Sequence, residues 1–520
     1  MTKLVMFIIV FFVFFSMAPT MYEWNARGRI HPDRAFELVH NFPTDYNAYL
    51  ARIRQGKEGA WLATEKYTSE PHAPSFSQVM YVFIGRLADA SHVQPPYVWF
   101  AYHTARVFFA AFLLWVIWKV VEWVIPARIW QILTFLLVIT QSTWPKFELV
   151  LGVPRLGGWM PWYTMADSLQ RTTFMPHVLF AQALLIFILW VFSGGFITKH
   201  TTGNFVFLGV VGLVLGIIFP PGLLFIYGVL GIVTVGECIG ILWKKGNVKK
   251  WFADSMFGRI IFGIITAPSF VYFSLLLTQY PWKRLAEFDV LHPTKFSFIE
   301  YFMAVGPVLP LGLLGALLVF VKFEKLKFFV AWVAAWLLFL FVFDKIPQQS
   351  PTRFTQMAPQ IPLGILTAWV FYSLSKKIKI SWISLIIPIV IILLGMGSMA
   401  SSYMWLRDFV DHKLRATIPL VPQGAEVMYP MQEIIDGLTW LQVRTPRSAV
   451  VLAGMTTSNN IPVYSGNTSY VGHANTVNLE DKLMSMESFY NRRLPLSWAK
   501  SQGISYIFYG FEERDIAGGV

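Results

Sequence analysis

Charge is scarce in this sequence and cysteine nearly absent. Only 14% of its 520 residues are Asp, Glu, Lys or Arg, where a soluble domain carries roughly 25%, so a single water-facing globule is excluded. The one cysteine, Cys238, lies inside an apolar run, which excludes a disulfide framework and a thiolate metal cluster. The C-terminal stretch has no G-x-G-x-x-G loop, so no nucleotide site is read there. What is abundant is apolar surface: 55% hydrophobic and 17% aromatic residues, with a mean hydropathy of +0.53. The chain reads as a polytopic α-helical membrane protein. Its net charge of +13 sits in short Lys/Arg clusters between apolar runs. That is the positive-inside pattern and not a duplex-binding face, so no nucleic-acid partner is expected.

Leu4 to Ala18 opens the chain as an apolar run behind Lys3. It is short for a span and ends in small residues, so a cleaved signal peptide is the alternative to a first helix. Further spans are expected at about 97–121, 128–143, 175–192, 204–218, 222–243, 259–277, 300–321, 328–343, 359–375 and 381–399, giving about eleven transmembrane helices. With a cytoplasmic N-terminus, five successive basic sets fall on the cytoplasmic side. They are Lys119 with Arg128, then Lys199, then Lys244, Lys245, Lys249 and Lys250, then Lys322, Lys325 and Lys327, then Lys376, Lys377 and Lys379. The membrane part is 1–402, with external loops at 19–96 and 144–173 and a segment at 76–87 that reads as an amphipathic or re-entrant helix. Residues 403–520 read as a small extracytoplasmic α/β domain: helices at 430–443 and 478–491, strands at 449–453 and 504–509, and one or two strands in 461–471 broken by Gly466.

Ionisable groups concentrate in the two early external loops. Asp45 opens a helical pattern in which Tyr46, Tyr49, Leu50 and Ile53 recur at helix spacing, which puts its carboxylate near a helix N-terminus. There it either caps the helix or accepts a proton from a substrate hydroxyl or amine. Glu70-Pro71-His72 offers a carboxylate and an imidazole two residues apart, in a segment made extended by Pro71 and Pro74. A divalent metal is possible at that pair, a solvated turn being the alternative; two ligands do not make a metal site, and no cofactor is certain. Asp167 and Arg171 stand one helical turn apart, followed by His177. They read as an exposed pair, or Arg171 holds a phosphate oxygen with its planar fork. In the late loop 344–356, too proline-rich for a helix, Lys345 and Arg353 either clamp a phosphate or snorkel at the interface. Trp282, Lys283 and Arg284 are similar in kind and less specific.

Across some sixty residues the first loop carries Asp45, Tyr49, Arg54, Gly59, Trp61-Leu62, Glu70-Pro71-His72, Gly85 and Arg106 in order. This resembles the first external loop of GT-C fold glycosyltransferases, in the branch of the protein O-mannosyltransferases and lipid A aminoarabinose transferases. Asp167, Arg353-Phe354 before Ile361-Pro362-Leu363, and the tail stretch Ile461 to His473 extend the likeness more weakly. Two departures stand out: Asp45 is followed by Tyr46 and not by a second acid, and Glu70-Pro71-His72 replaces a common Lys-Pro-Pro.

The resemblance implies inverting transfer of a sugar from a polyprenyl-phosphate carrier to a lipid, glycan or protein acceptor on the outer face of the plasma membrane. Asp45 would be the catalytic base and Arg353 or Arg171 would hold the carrier phosphate. Glu70, His72, Arg106, Asp167 and His177 would line the substrate site. The alternative class is a secondary transporter or lipid flippase, which needs charges at mid-membrane and paired broken helices. Phe219-Pro220-Pro221-Gly222 is one candidate break, and Glu237 is the main charge within a span.

Overall fold

The computed structural model describes residues 3–39, 43–90, 98–150, 152–159, 167–173, 175–196, 201–243, 245–292, 294–319, 324–343, 350–377, 382–416 and 428–518. Lys199, Lys244, Lys322, Lys345 and Lys379 lie outside them. The chain divides into two compact units, one of Met1–Ser16, Arg106–Phe273 and Asp289–Tyr403, the other of Met17–Ala105, Ser274–Phe288 and Met404–Val520.

The first unit is dominated by apolar helices. Among the described residues of the whole chain, four helices are long and apolar enough to cross a membrane: Val98–Val124, Pro220–Trp243, Phe257–Leu276 and Ile383–Arg415. Two bent pairs, Lys3–Ser16 with Ala18–Arg29 and Phe298–Val305 with Val308–Val319, raise that to six if each is one span. The other expected spans are apolar helices of 13 to 17 residues at Arg128–Thr140, Pro176–Phe192, Thr202–Ile218, Lys327–Phe341 and Gln360–Ser375, each below the ~20 residues of a straight crossing.

Three expectations for this unit are corrected. The span read at 300–321 is broken by 99°, because Gly306 has a φ of +73° and Pro307 follows it. A Cβ on Gly306 would stand 2.2 Å from the Ser142 carbonyl oxygen, so the break is also a close backbone approach. The helix expected to end near 399 runs on as Ile383–Arg415, since no glycine or proline after Gly397 interrupts it. The loop at 144–173 contains an antiparallel hairpin, Lys146–Val150 against Val153–Gly157, with Gly152 at a φ of +77° in the turn.

In the second unit, Pro43–Lys57 is a helix for the reasons its sequence gives. Proline stands at its first position, Asp45 lies in the first turn, and Arg54 and Lys57 lie in the last. Tyr46, Tyr49, Leu50 and Ile53 form its buried stripe. The helix ends where Gly59 takes a φ of +103° and the Ala60 N–H returns to the Gln55 carbonyl. It packs against Val79–Ala90, the helix expected at 76–87.

The C-terminal stretch forms a three-stranded parallel sheet in the order Thr468–Ser469, Val450–Leu452, Tyr506–Ile507. Successive residues of the central strand face opposite sides. Val451 therefore joins Ile434, Leu438, Leu441 and Ile461 in one core, while Leu452 joins Tyr470, Val471, Met486 and Tyr490 in the other. Helices stand at Gln432–Arg444 and Leu479–Tyr490. The strand expected from 461 is corrected: Met455–Tyr464 is a helix that carries Pro462 inside it, and only Thr468–Ser469 beyond Gly466 is extended. The β-branched run misled because Asn459 and Asn460 start no new turn and the helix continues through them.

Candidate active site

The first loop holds four described carboxylates in or just after the Pro43–Lys57 helix, and three are committed to cations. Glu65 is 2% exposed and accepts from Arg52 Nη2 at 2.7 Å, with Arg52 itself 1% exposed. Burial pushes the Glu65 carboxyl up, but Arg52, His473 and the Tyr67 N–H outweigh it and hold it below the usual range. Glu70 accepts from Lys482 Nζ at 2.7 Å. Burial raises its carboxyl too, and Lys482 with Thr68 brings it below the usual value. Glu58 is paired with Arg54 at 2.9 Å and with Arg447 at 3.2 Å.

Asp45 differs. Its side chain is half exposed, and its Oδ1 faces His473 Nε2 at 3.6 Å. His473 is nearly buried and comes from the turn after the Thr468–Ser469 strand. Its Nδ1 accepts the Asn475 backbone N–H at 3.1 Å. Asn475 Nδ2 donates in turn to Glu65 Oε2 at 3.1 Å. The C-terminal stretch is bound to the first loop at many further points. Asn47 Nδ2 donates to Asn459 Oδ1 at 2.8 Å and to Asn460 Oδ1 at 3.0 Å, and Tyr67 Oη donates to the Asn459 carbonyl at 3.0 Å. Arg54 Nη1 donates to the Val463 and Tyr464 carbonyls. Asn467 is fully buried and donates to Thr445 and the Pro446 carbonyl.

The other expected site residues fall as follows. His72 Nε2 accepts the Glu65 N–H at 2.9 Å, and its Nδ1 donates to the Glu70 carbonyl at 2.7 Å. Both ring nitrogens are thus engaged, and with Glu70 held by Lys482 the pair braces the loop. No group of three or more metal-ligating side chains occurs among the described residues. Trp282 is buried against Ala63 and Val82, and Arg284 donates to Glu287 and the Ala474 carbonyl.

Arg106, Asp167, Arg171, His177 and Arg353 belong to the first unit. Arg106 is 1% exposed and donates weakly to the Ser16 and Thr173 carbonyls at 3.4 and 3.3 Å. Asp167 caps the short Gln170–Thr173 helix, accepting the Gln170 N–H at 2.7 Å and a Ser402 hydroxyl. Burial raises its carboxyl against those bonds and the nearby Arg171. The exposed Asp167–Arg171 pair is corrected: Arg171 is buried, its guanidinium turned to Gln141 Oε1 at 2.6 Å and to the Gln141 carbonyl. That burial lowers its guanidinium to about 10. His177 lies in the first turn of Pro176–Phe192, partly buried. Arg353 lies in a 3-10 turn, Pro351–Gln356, where the sequence suggested no helix, and holds Asp289.

Sequence reasoning missed His473 as a neighbour of Asp45 and Asn475 as the residue that holds its ring. The only signal was that the Gly472-His473 stretch appeared in the weaker part of the resemblance; nothing local joins it to the first loop.

No family model matches the chain, and no curated protein sequence matches it. Among solved structures, the oligosaccharyltransferase AglB from Archaeoglobus fulgidus, in complex with an inhibitory peptide and a dolichol-phosphate, is similar at 12% identity over 97% of this chain and 69% of that one, with a TM-score of 0.44. The Archaeoglobus fulgidus oligosaccharyltransferase with zinc and sulfate is similar at 12% identity over 96% and 67%, with a TM-score of 0.49. ArnT from Cupriavidus metallidurans bound to undecaprenyl phosphate is similar at 14% identity over 94% and 90%, with a TM-score of 0.48. Likeness at this level decides nothing about activity, which has to be argued from the side chains.

Proposed function

We propose that this chain is a glycosyltransferase of the GT-C type, moving a sugar from a polyprenyl-phosphate carrier to an acceptor at the outer face of the plasma membrane. One observation carries the reading: of the four carboxylates described between residues 43 and 70, Glu58, Glu65 and Glu70 each pair with Lys or Arg, whereas Asp45 is half exposed in the first turn of the Pro43–Lys57 helix and faces the nearly buried His473. An ionised carboxylate open to solvent is suited to take a proton from an acceptor. Its place at the start of a helix favours the charged form further.

In the reaction, an acceptor O–H or N–H gives its proton to Asp45 while the oxygen or nitrogen attacks the anomeric carbon. The bond from that carbon to the carrier phosphate breaks, and the phosphate leaves with the electron pair on the opposite face, so the configuration inverts. Charge on the leaving phosphate needs a cation. Of the two cations that the resemblance offers for that role, Arg353 is the more accessible: its side chain is 43% exposed and paired with Asp289, whereas Arg171 is buried among Gln141 oxygens. The topology that goes with this reading has about eleven crossings, a cytoplasmic N-terminus, and the first loop and the C-terminal α/β stretch outside.

A transporter would use the broken helix pair at Gly306 as a binding site. The carbonyls before that break are taken by protein groups instead, the Trp144 N–H on the Met303 carbonyl and the Gln141 side-chain amide on the Val305 carbonyl. The test is to incubate the purified chain in nanodiscs with radiolabelled undecaprenyl-phosphate sugars of several kinds and a membrane extract. A new labelled glycoconjugate with release of undecaprenyl phosphate is expected. Label recovered entirely on its carrier, with no new glycoconjugate from any of the sugars, contradicts the reading.

A further inference from the structure

His473 is held at its ring and at its backbone. The Asn475 backbone N–H donates to Nδ1 at 3.1 Å, the Tyr67 ring lies 5.2 Å away centroid to centroid, and the His473 backbone N–H reaches Thr476 Oγ1 at 3.4 Å. A ring nitrogen that accepts a hydrogen bond carries no proton, so the contacts assign the Nε2–H tautomer. Nε2 is the atom that stands 3.6 Å from Asp45 Oδ1. That distance is longer than a hydrogen bond, as contacts in a site without substrate often are, and one small side-chain rotation closes it.

The turn that presents His473 is itself tied to a buried ion pair. Asn475 uses its backbone N–H on the imidazole and its side-chain amide on Glu65 Oε2, the same oxygen that Arg52 grips. Asn459 Nδ2 fastens the preceding Gly472 carbonyl at 3.1 Å, and Thr476 Oγ1 donates to the Tyr67 carbonyl at 2.7 Å. The groups facing His473 are therefore Asp45 from the Pro43–Lys57 helix, and Glu65 and Tyr67 from the loop that follows, with Arg52 behind Glu65. Glu65 and Arg52 compensate each other's charge. A fixed N–H donor beside a half-exposed carboxylate on a helix turn favours the rotamer that faces it.

We propose that His473 is a positioning residue for Asp45, its Nε2–H holding the carboxylate in the orientation that accepts the acceptor's proton, so that the C-terminal stretch completes the first-loop site. The proposal rests on the reading of Asp45 as the base. It also limits what His473 does: with Nδ1 pinned by a backbone N–H and Nε2 already protonated, the imidazole does not relay the proton inward. The proton taken by Asp45 leaves to solvent.

The test needs no knowledge of the sugar. Water-soluble carbodiimide couples an amine to protonated carboxyls, and mass spectrometry of the Asp45 peptide from the full chain in nanodiscs gives the pH midpoint of that coupling. Loss of a donor to the charged form moves the midpoint up, by about one pH unit in His473→Ala. His473→Gln, which keeps an N–H of similar reach, brings most of it back. In the transfer assay His473→Ala lowers kcat by about tenfold or more with little change in KM, and its acid limb moves to higher pH. A lowered thermal midpoint with an unmoved Asp45 midpoint and pH profile overturns the proposal in favour of a purely structural role. Should His473→Ala fail to fold, solid-state nitrogen spectra of the histidine-labelled wild-type chain decide instead. Protonated Nε2 with bare Nδ1 is expected, and the reverse tautomer overturns the proposal. Transfer that survives Asp45→Asn removes the underlying reading. Transfer lost in Asp45→Asn but unchanged in His473→Ala removes only the role of His473.

Discussion

Arg353 holds Asp289 through two parallel contacts, Nε to Oδ2 and Nη2 to Oδ1, each 3.0 Å long. The two ends differ in exposure: the arginine side chain is 43% exposed and the aspartate 9%. Arg353→Ala therefore strands a nearly buried carboxylate, while Asp289→Ala leaves a cation that water can reach. The first substitution is expected to cost about 1–3 kcal/mol and the second distinctly less. Thermal midpoints of the two variants in the same detergent check the order, and equal losses contradict it.

Arg52 and Glu65, 1% and 2% exposed, form a buried ion pair within the first loop. Removing one partner leaves an uncompensated charge, which costs about 3–5 kcal/mol. Arg52→Leu and Glu65→Leu are each expected to unfold the unit at markedly lower temperature, and the double substitution to recover much of the loss. A double variant as unstable as the sum of the singles contradicts this.

Gly56 and Gly85 bring two helix backbones into contact. A Cβ on Gly56 would stand 1.9 Å from the Val82 carbonyl oxygen, and one on Gly85 would stand 1.8 Å from that of Ile53. Neither obstacle is a side chain that could rotate away, so the helices must separate. Gly85→Ala is expected to cost about 3 kcal/mol or more. Gly231→Ala, with nothing within 4 Å of the added carbon, serves as the neutral control in the same melting experiment.

Glu513 is fully buried and accepts the Gly454 and Gly510 N–H groups at 2.7 and 2.8 Å. Burial, and then the charge of Glu512, pushes its carboxyl up from 4.5 to about 7. Between those values the folded chain holds a proton that the unfolded chain has lost, so this group's contribution to stability falls as pH rises through that window and levels off above about 7. Chemical denaturation across that range should show the decline in the wild-type chain and a flatter profile in Glu513→Gln. Stability that rises with pH at this site contradicts it.

The helices were legible because their signals are local. Tyr46, Tyr49, Leu50 and Ile53 announce the Pro43–Lys57 helix by spacing. Asp45 was legible for the same reason. The break at Gly306 was not, since the backbone that it approaches, Ser142 to Trp144, lies far away in sequence. The helical state of Ile461–Tyr464 was hidden by a β-branched, proline-containing stretch whose fate is set by packing on Leu438 and Val451. The site was half legible: the sequence supplies the carboxylate, but the imidazole beside it comes from the other end of the chain and only tertiary structure joins them. Glu70, Arg171 and Arg353 are engaged by Lys482, Gln141 and Asp289, none of which spacing can reveal.

The central claim is that Asp45 takes the acceptor's proton, and it is tested most directly by comparing Asp45→Asn with the wild-type chain in the transfer of label from undecaprenyl-phosphate sugar. The account predicts that the variant is made and melts like the wild type but forms product at least about a hundredfold more slowly. Product formed at the wild-type rate would contradict it.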